Sequence, residues 1–274
     1  MESGKYSIDA DFLEHQGRSL FYLLLRPIDL PARGSILFLP PFAEEMHKSR
    51  SVVSSQARRF AAEGYNVLLL DLSGCGDSEG DFVDASWGLW RADALAGLDT
   101  LSSVSDAPLM VWGLRTGALL ACDVSAHAPS LSHLLLWQPV LNGEQHIDQF
   151  LRLRVLSRGL MGPAQFDRKS LWGELRAGHS LEVAGYELSA RMALEMARLR
   201  LQDMPPSCDV TWYEIGHNTR AGLAMGCENV LQRWRNESVK VTVSSLRGEP
   251  FWRVVEGKVN RVLEDAMLEN VTAS

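Results

Sequence analysis

Short apolar runs alternate along the chain with segments in which apolar residues recur every three or four positions. The runs predict strands, and the periodic segments predict helices. Two runs near the start flank the turn dipeptide Gln16-Gly17, and this spacing predicts an antiparallel hairpin. Six further runs are typical of a buried sheet. The predicted strands are Tyr6 to Leu13, Ser19 to Leu25, Ser35 to Leu39, Asn66 to Leu72, Leu109 to Trp112, Leu134 to Val140, Val210 to Ile215 and Val239 to Ser244.

Helical patterns follow most of the later strands. The predicted helices are Lys48 to Glu63, a segment that Asp84 can cap, Thr116 to His127, Ala221 to Arg235 and Phe251 to Leu268. Parallel strands need crossover connections, which are usually helices, so this alternation predicts a mainly parallel sheet. The alternation stops between Asn142 and Met204, where the pattern is mostly helical.

These elements predict an α/β fold with an eight-stranded, mostly parallel sheet and helices on both of its faces. The helical stretch follows the sixth strand and predicts a lid over residues 142–204, inserted into a core of residues 1–141 and 205–274. In such sheets a ligand pocket lies at the carboxyl ends of the strands.

The stretch Gly113-Leu114-Arg115-Thr116-Gly117 follows the fifth strand. Its spacing matches the Gly-x-Ser-x-Gly turn of serine hydrolases, whose central serine is the nucleophile. The position after strand five therefore predicts an α/β-hydrolase fold. The central residue is Arg115, however, and a guanidinium stays protonated and cannot act as a nucleophile.

A serine hydrolase also needs an imidazole beside the nucleophile, usually after the last strand. Here the loop from Leu246 to Trp252 contains no histidine, and Glu249 is the titratable group available. His217 follows the seventh strand and is the best substitute for the base if catalysis survives. Arg115, Glu249 and His217 are therefore the candidate catalytic residues.

Other candidate residues lie in loops at the same end of the predicted sheet. The amides of Phe42 and Ala43 are candidates to hold a carbonyl oxygen or an anion. Glu44 or Glu45 either enters the pocket or merely favours the start of the next helix. Thr116 begins the helix after the turn, and Glu144 lies at the pocket rim or on the exposed first turn of the lid.

Composition narrows the choice of partners. A net charge of −7 argues against a nucleic-acid or anionic-membrane surface, and the four cysteines have no metal-ligand spacing. No apolar run approaches the ~20 residues of a membrane span, and the N-terminus does not resemble a signal peptide.

Asp71 to Gly80 fits a dinucleotide-binding loop poorly, so no cofactor is expected. Cys75 is expected to be an ordinary loop cysteine, and His47, His146 and His179 are expected at the surface.

Several motifs together resemble the exosortase A system-associated hydrolases over residues 5–255. They are LPPFAEEMHKSR (39–50), DLSGCGDSEGDF (71–82), WGLRTGALLA (112–121), WQPVLNGEQ (137–145), EVAGYELS (182–189) and GEPFW (248–252). These are α/β-hydrolase-superfamily proteins of bacteria that have exosortase, PEP-CTERM-tagged proteins and exopolysaccharide loci. The resemblance implies a bacterial cytoplasmic protein of that pathway, and its name reflects fold and not demonstrated hydrolysis.

Three hypotheses remain open from the sequence. In the first, a degenerate hydrolase pocket binds a small anionic or acyl-type ligand without covalent catalysis, with Glu44, Glu144 or Glu249 paired to Arg115 in the empty protein. In the second, the protein is a non-standard ester hydrolase or acyltransferase that uses Arg115 as an electrostatic clamp. In the third, it is a non-catalytic scaffold. The sequence leaves the oligomeric state open.

Overall fold

The computed structural model of the 274-residue chain describes residues 5–158, 167–216, 223, 226–254 and 261–272. Its strands are β1 (Tyr6–His15), β2 (Arg18–Pro27), β3 (Gly34–Leu39), β4 (Tyr65–Leu70), β5 (Leu109–Leu114), β6 (Leu131–Trp137), β7 (Leu181–Val183), β8 (Tyr186–Leu188), β9 (Asp209–Gly216) and β10 (Val241–Arg247). Its helices are α1 (Glu44–Ala62), α2 (Trp87–Val104), α3 (Thr116–Ser125), α4 (Gly143–Arg158), α5 (Arg168–Arg176), α6 (Ala190–Ala197), α7 (Cys227–Asn236) and α8 (Arg261–Thr272).

Eight of the described strands form one sheet in the order β1-β2-β4-β3-β5-β6-β9-β10. The first strand pairs antiparallel with β2, and β2 pairs antiparallel with β4. All other neighbours are parallel. The predicted eight-stranded, mostly parallel sheet and the hairpin around Gln16-Gly17 are thus confirmed.

Apolar side chains pack on both faces of this sheet. On one face they belong to α2, α3, α7 and the helices of residues 142–204, and on the other to α1, α8 and the turn at Phe251. Trp112 and Trp137, on neighbouring strands, pack with ring centroids 4.5 Å apart and are fully buried. No helix in the described part of the chain is long and apolar enough to cross a membrane.

The expectation of a mostly helical stretch at residues 142–204 needs one correction. It contains α4, α5 and α6, but β7 and β8 form an antiparallel hairpin within it. Ala184 and Gly185 make the turn, and both have positive φ, 51° and 86°. Two successive positive φ values suit a tight hairpin turn, which is what this pair supplies.

Some predicted helix ends also differ. Ser86, not Asp84, caps α2, because its side chain accepts a hydrogen bond from the Leu89 amide at 3.2 Å. The first described residue of α7 is Cys227, whereas the predicted start at Ala221 lies outside the described residues. Phe251 begins a single 3-10 turn, and α8 follows from Arg261.

The packing of α3 against β3 makes a stability prediction. A Cβ at Gly117 would lie 2.0 Å from the Leu39 carbonyl oxygen, which is backbone and cannot move aside. Gly117→Ala should therefore lower the free energy of unfolding by about 3 kcal/mol or more. Urea denaturation measures this loss.

Gly88→Ala is the matched control, since Gly88 lies within α2 and a Cβ there would meet nothing within 4 Å. Alanine is the better helix former by up to about 1 kcal/mol, so this variant should be unchanged or more stable. Equal stability of the two variants would contradict the close approach at Gly117.

Candidate functional site

Three neighbouring strands end in strained backbone at one edge of the sheet. Ala43 follows β3, Arg115 follows β5 and Gln138 follows β6, with φ values of 50°, 58° and 42°. Non-glycine residues rarely adopt positive φ, and such strain clusters at functional sites. The strand ends at β3, β5 and β6 therefore mark the candidate site, where the sequence placed the pocket.

Arg115 forms the sharp turn that the sequence predicted. Its φ and ψ are 58° and −113°, and it immediately precedes the first residue of α3. Its amide donates to the Trp137 carbonyl at 2.9 Å, and its own carbonyl accepts from the amides of Ala118 at 3.1 Å and Val140 at 3.2 Å. Backbone bonds to β6 and α3 thus hold the turn in place. This is the geometry that presents a nucleophile in hydrolases of this fold.

The Arg115 side chain is buried and engaged by protein groups. Its Nε lies 3.3 Å from both carboxylate oxygens of Glu45, and its Nη1 donates to the Gln138 carbonyl at 3.3 Å. The guanidinium carbon lies 5.4 Å from the ring centroid of Trp252, within range of a cation–π interaction. Arg115 and Glu45 each expose 8% of their surface, so this ion pair is largely shielded from water.

The partner of Arg115 is not one of the three acids that the sequence offered. Glu44 lies 3.9 Å from Lys48, and its neighbour Glu45 faces inward because adjacent residues on a helix point about 100° apart. Glu144 is paired with two other arginines, Arg168 and Arg200. The side chain of Glu249 is exposed. The expectation of pairing with Glu44, Glu144 or Glu249 was therefore wrong.

Glu144 lies on the side of α4 away from Arg115. Its carboxylate oxygens accept from Arg168 at 2.6 Å and from Arg200 at 3.1 Å. These bonds tie α4 to the start of α5 and to the chain after α6. Glu144 therefore connects elements of the 142–204 stretch, and its carboxylate is occupied there. His217 lies outside the described residues.

His146 is a site residue that the sequence did not reveal. It was expected at the surface, but it is 6% exposed, and its ring packs edge-on against Phe42 with centroids 6.0 Å apart. Burial, followed by the charges of Arg115 and Arg253, lowers the pKa of His146 to about 3. The imidazole is therefore neutral at physiological pH. Ile147, Phe150 and Leu151 beside it are buried apolar residues of α4. Their spacing in the sequence could have indicated that His146 is buried too.

Backbone donors lie around the Arg115 turn. In the described part of the chain, no acceptor hydrogen-bonds the amides of Phe42, Ala43 or Thr116. Thr116 is the first residue of α3, where amides have no partner within the helix. Its hydroxyl is buried and has no hydrogen-bond partner among the described residues. In this fold, amides at these two places bind the oxygen of an acyl group.

Two adjoining cavities lie over the site. The larger has a volume of about 390 Å³, and the smaller, of about 180 Å³, includes Arg115 in its wall. His146 and Gln149 of α4 line both. The remaining walls of the larger cavity combine apolar and charged groups: Phe42, Phe150, Leu153 and Trp252, with Glu44, Glu45, Lys48, Arg152 and Arg253.

A second acid that the sequence did not reveal lies on β9. Glu214 is buried, and its Oε1 accepts from Trp212 Nε1 at 2.7 Å and from the Cys227 thiol at 3.3 Å. Its Oε2 accepts from Gln138 Nε2 at 2.9 Å. In the sequence, the position of this acid within the otherwise largely apolar run VTWYEI could have indicated a buried carboxylate. Among the described residues, no cluster of three or more His, Cys, Asp or Glu could hold a metal ion.

Comparisons with known proteins agree with the fold described above. The family model described as serine aminopeptidase, S33, matches residues 31–169. The chain belongs to this family. The matched residues include β3, β5, the Arg115 turn and α4. A search of curated proteins finds no match.

Solved structures show the same fold as this S33-family chain. Est1E from Butyrivibrio proteoclasticus, with ferulic acid bound, has 16% identity and a TM-score of 0.67, and the match covers 95% of this chain and 99% of that one. Alpha/beta hydrolase domain-containing protein 10 from mouse has 17% identity and a TM-score of 0.64, with 97% and 99% covered. At such identities the likeness concerns the α/β-hydrolase fold alone.

The buried ion pair of this S33-family member gives a pH-dependent prediction. Burial raises the pKa of Glu45 above its ordinary value, and the Arg115 charge opposes that rise. Arg115→Met removes the opposing charge, so the pKa of Glu45 should rise further. An acid whose folded-state pKa is raised binds more protons when folded, so the stability of the variant should fall as pH rises through that pKa.

In mildly alkaline buffer we expect Arg115→Met to lower the free energy of unfolding by about 3–5 kcal/mol, with part of the loss regained in mildly acidic buffer. Arg115→Met with Glu45→Gln leaves no charge behind and should lose the pH dependence. Urea denaturation at both pH values measures both effects. If Arg115→Met alone were as stable as the wild type in alkaline buffer, the buried ion pair between Arg115 and Glu45 would be contradicted.

Proposed function

We propose that this S33-family protein binds a small anionic, acyl-type ligand in the larger cavity and forms no covalent intermediate with it. The observation that carries the proposal is a buried, ion-paired Arg115 at the centre of the turn, where hydrolases of this fold carry their nucleophile. The turn and its surrounding amides keep the geometry for an acyl group. The side chain at its centre has no electron pair to attack one.

The charge at the cavity mouth supports an anionic ligand. Glu45 is neutralised by Arg115, and Glu44 lies 3.9 Å from Lys48, so the guanidinium of Arg253 adds a further positive charge to the cavity wall. Arg253 is exposed at the rim, where a ligand carboxylate can reach it without breaking a buried pair. A guanidinium binds a carboxylate by a charge-assisted hydrogen bond, often through two nitrogens.

The inner wall supports the acyl or aromatic part of such a ligand. Phe42, Phe150 and Trp252 give an apolar surface. Phe42 and Ala43, in the loop after β3, and Thr116, next to Arg115, have amides that bind no acceptor in the described part of the chain. Most small-molecule sites combine such an apolar lining with a few placed polar groups. The ligand's carbonyl oxygen would accept from these amides.

The titration of His146 supports binding without catalysis. A general base works best when its pKa lies near the operating pH, and the pKa of about 3 for His146 is far below it. The second candidate function, a non-standard ester hydrolase or acyltransferase, would need a base. Glu249 is exposed, and the buried Glu45 carboxylate is already held by Arg115. The ion pair therefore favours the binding function.

We also propose that residues 142–204 act as a lid over a core of residues 1–141 and 205–274. Helix α4 supplies His146, Gln149 and Phe150 to the cavity walls. Phe150 also packs edge-on against Phe42, with centroids 5.2 Å apart, so a movement of α4 would open the larger cavity. Ligand exchange through such a lid would require that movement.

Ferulate and methyl ferulate test the proposed ligand class as a matched pair. The carboxylic acid bound to Est1E makes ferulate a rational first probe, and its methyl ester has the same apolar body without the charge. We expect ferulate to bind the full chain more tightly, as measured by calorimetry. Arg253→Gln should weaken ferulate binding by about three- to tenfold, since the lost charged hydrogen bond is partly exposed.

Arg58→Gln is the control, because Arg58 is an exposed arginine on α1 that does not line the cavity. Equal binding of acid and ester, or equal effects of the two arginine variants, would count against an anionic ligand. Turnover of methyl ferulate, or labelling of a serine by a fluorophosphonate, would favour the hydrolase instead.

We further propose that the protein acts in the cytoplasm of a bacterium, within an exosortase or exopolysaccharide pathway. The support is the set of motifs shared with exosortase A system-associated hydrolases, among them residues 39–50 and 112–121. Deletion of the gene should then impair export of exopolysaccharide or of sorted proteins, and normal export would contradict this. If variants at the surface impair export more than variants in the cavity, the scaffold hypothesis takes precedence.

A further inference from the structure

The smaller cavity differs in chemistry from the larger one, although the two share a wall. Asn142, Gln145 and Gln149 line it from the start and first turns of α4, and Gln138 lines it from the end of β6. Among the described residues, four carboxamides therefore line a volume of about 180 Å³, and that of Gln138 already accepts from the Ile215 amide and donates to Glu214. That volume has room for about six water molecules at about 30 Å³ each.

The spacing of these side chains explains how α4 serves the core and the cavity together. Residues 142, 145, 146 and 149 recur every three or four positions, so they lie along one side of the helix. Ile147 and Leu151 lie on another side and are fully buried. The polar stripe is thus free to line the cavity while the apolar stripe holds the helix in place.

The described residues of the cavity wall carry no uncompensated positive charge. Arg115 is paired with Glu45 and donates to the Gln138 carbonyl. His146 is a neutral imidazole, and its buried Nδ1 has no hydrogen-bond partner among the described residues. Glu214 contributes a carboxylate, which repels anions and accepts hydrogen bonds. An anionic group is therefore better placed in the larger cavity, near Arg253.

Carboxamides and a carboxylate suit hydroxyl groups. Each carboxamide both donates and accepts, as a hydroxyl does, and a carboxylate accepts from hydroxyls. The side chains of Gln145 and Gln149 are exposed, and no hydrogen bond to another described residue holds either of them. Pro139 and Val140 add a small apolar surface against which the C–H groups of a ring can pack.

We propose that the smaller cavity is a subsite for a neutral, polyhydroxylated ring, such as a sugar unit or a cyclic polyol. The proposal extends the proposed function and rests on it, since it assigns a second part of the same ligand. An anionic acyl group would occupy the larger cavity, and the hydroxylated group would lie beside Arg115. His146 and Gln149 would contact both parts, because they line both cavities.

Three neutral probes test the subsite on the full-length chain. They are methyl glucoside, myo-inositol and cyclohexanol, the last of which keeps a six-membered ring with a single hydroxyl. The readout is the NMR signals of the side-chain amides of Gln145 and Gln149 in nitrogen-15-labelled protein. We expect saturable shifts with at least one of the first two probes at high millimolar concentration, and none with cyclohexanol.

Gln145→Leu should weaken binding of the polyhydroxylated probe by about two- to tenfold, the effect of one lost hydrogen bond. Gln232→Leu is the control, since Gln232 is an exposed glutamine on α7 outside the cavity. The subsite is refuted by an absence of saturable shifts, by equal binding of cyclohexanol, or by equal affinities of the two variants.

The two proposals fail in distinguishable ways. If ferulate binds and the polyhydroxylated probes do not, the subsite is wrong and the proposed function stands. If the probes bind and ferulate does not, the anionic, acyl-type ligand is wrong and the cavity is a polyol site. If neither class binds, both proposals fall.

Discussion

The ion pair between Arg115 and Glu45 is the interaction on which the candidate site depends. A guanidinium remains protonated at physiological pH, and a buried charge without a partner is costly. Glu45 can meet Arg115 because the chain reverses at Ala43, which brings the first turn of α1 over the end of β5. The loop that offers free amides is therefore fixed by the same contact that neutralises the arginine. Trp252 completes the arrangement by packing on the guanidinium from the chain after β10.

The strained backbone around this pair is held by ordinary hydrogen bonds and close packing. Gln138 accepts from the Ile215 amide at 2.6 Å and donates to Glu214, so its side chain joins β6 to β9. Its carbonyl accepts from Arg115, and positive φ aims that carbonyl toward the guanidinium. Gly113 and Gly117 let α3 approach the strand ends within a distance that no Cβ would permit. The turn thus has the geometry that hydrolases of this fold use, with Arg115 at its centre.

The sequence revealed the sheet better than it revealed the site. Apolar runs and the Gly113–Gly117 spacing were sufficient to predict eight strands and the position of Arg115, because both depend on local patterns. The sequence did not predict that Glu45, and not Glu44, pairs with Arg115. Which of the two faces inward depends on how α1 is rotated about its axis, and the backbone at Ala43 fixes that rotation. His146 was missed because the apolar residues beside it, Ile147, Phe150 and Leu151, indicate a buried helix face but do not show which loops cover it. Glu214 lies in an apolar run, and only the paired strands show that its carboxylate meets Gln138 and Cys227.

Neutralisation of Arg115 changes what the site can recognise. A free guanidinium at the turn would attract anions directly to the strand ends, whereas the pair with Glu45 has no net charge. In the proposed function, the exposed Arg253 at the rim would attract the anion, and the interior would select by shape and hydrogen bonding. The neutral His146 lines both the larger cavity, which has apolar and charged walls, and the smaller one, which has carboxamides in its wall. Because Glu45 neutralises the charge of Arg115, the proposed site would be better suited to hold a ligand with distinct parts than to polarise a bond within it.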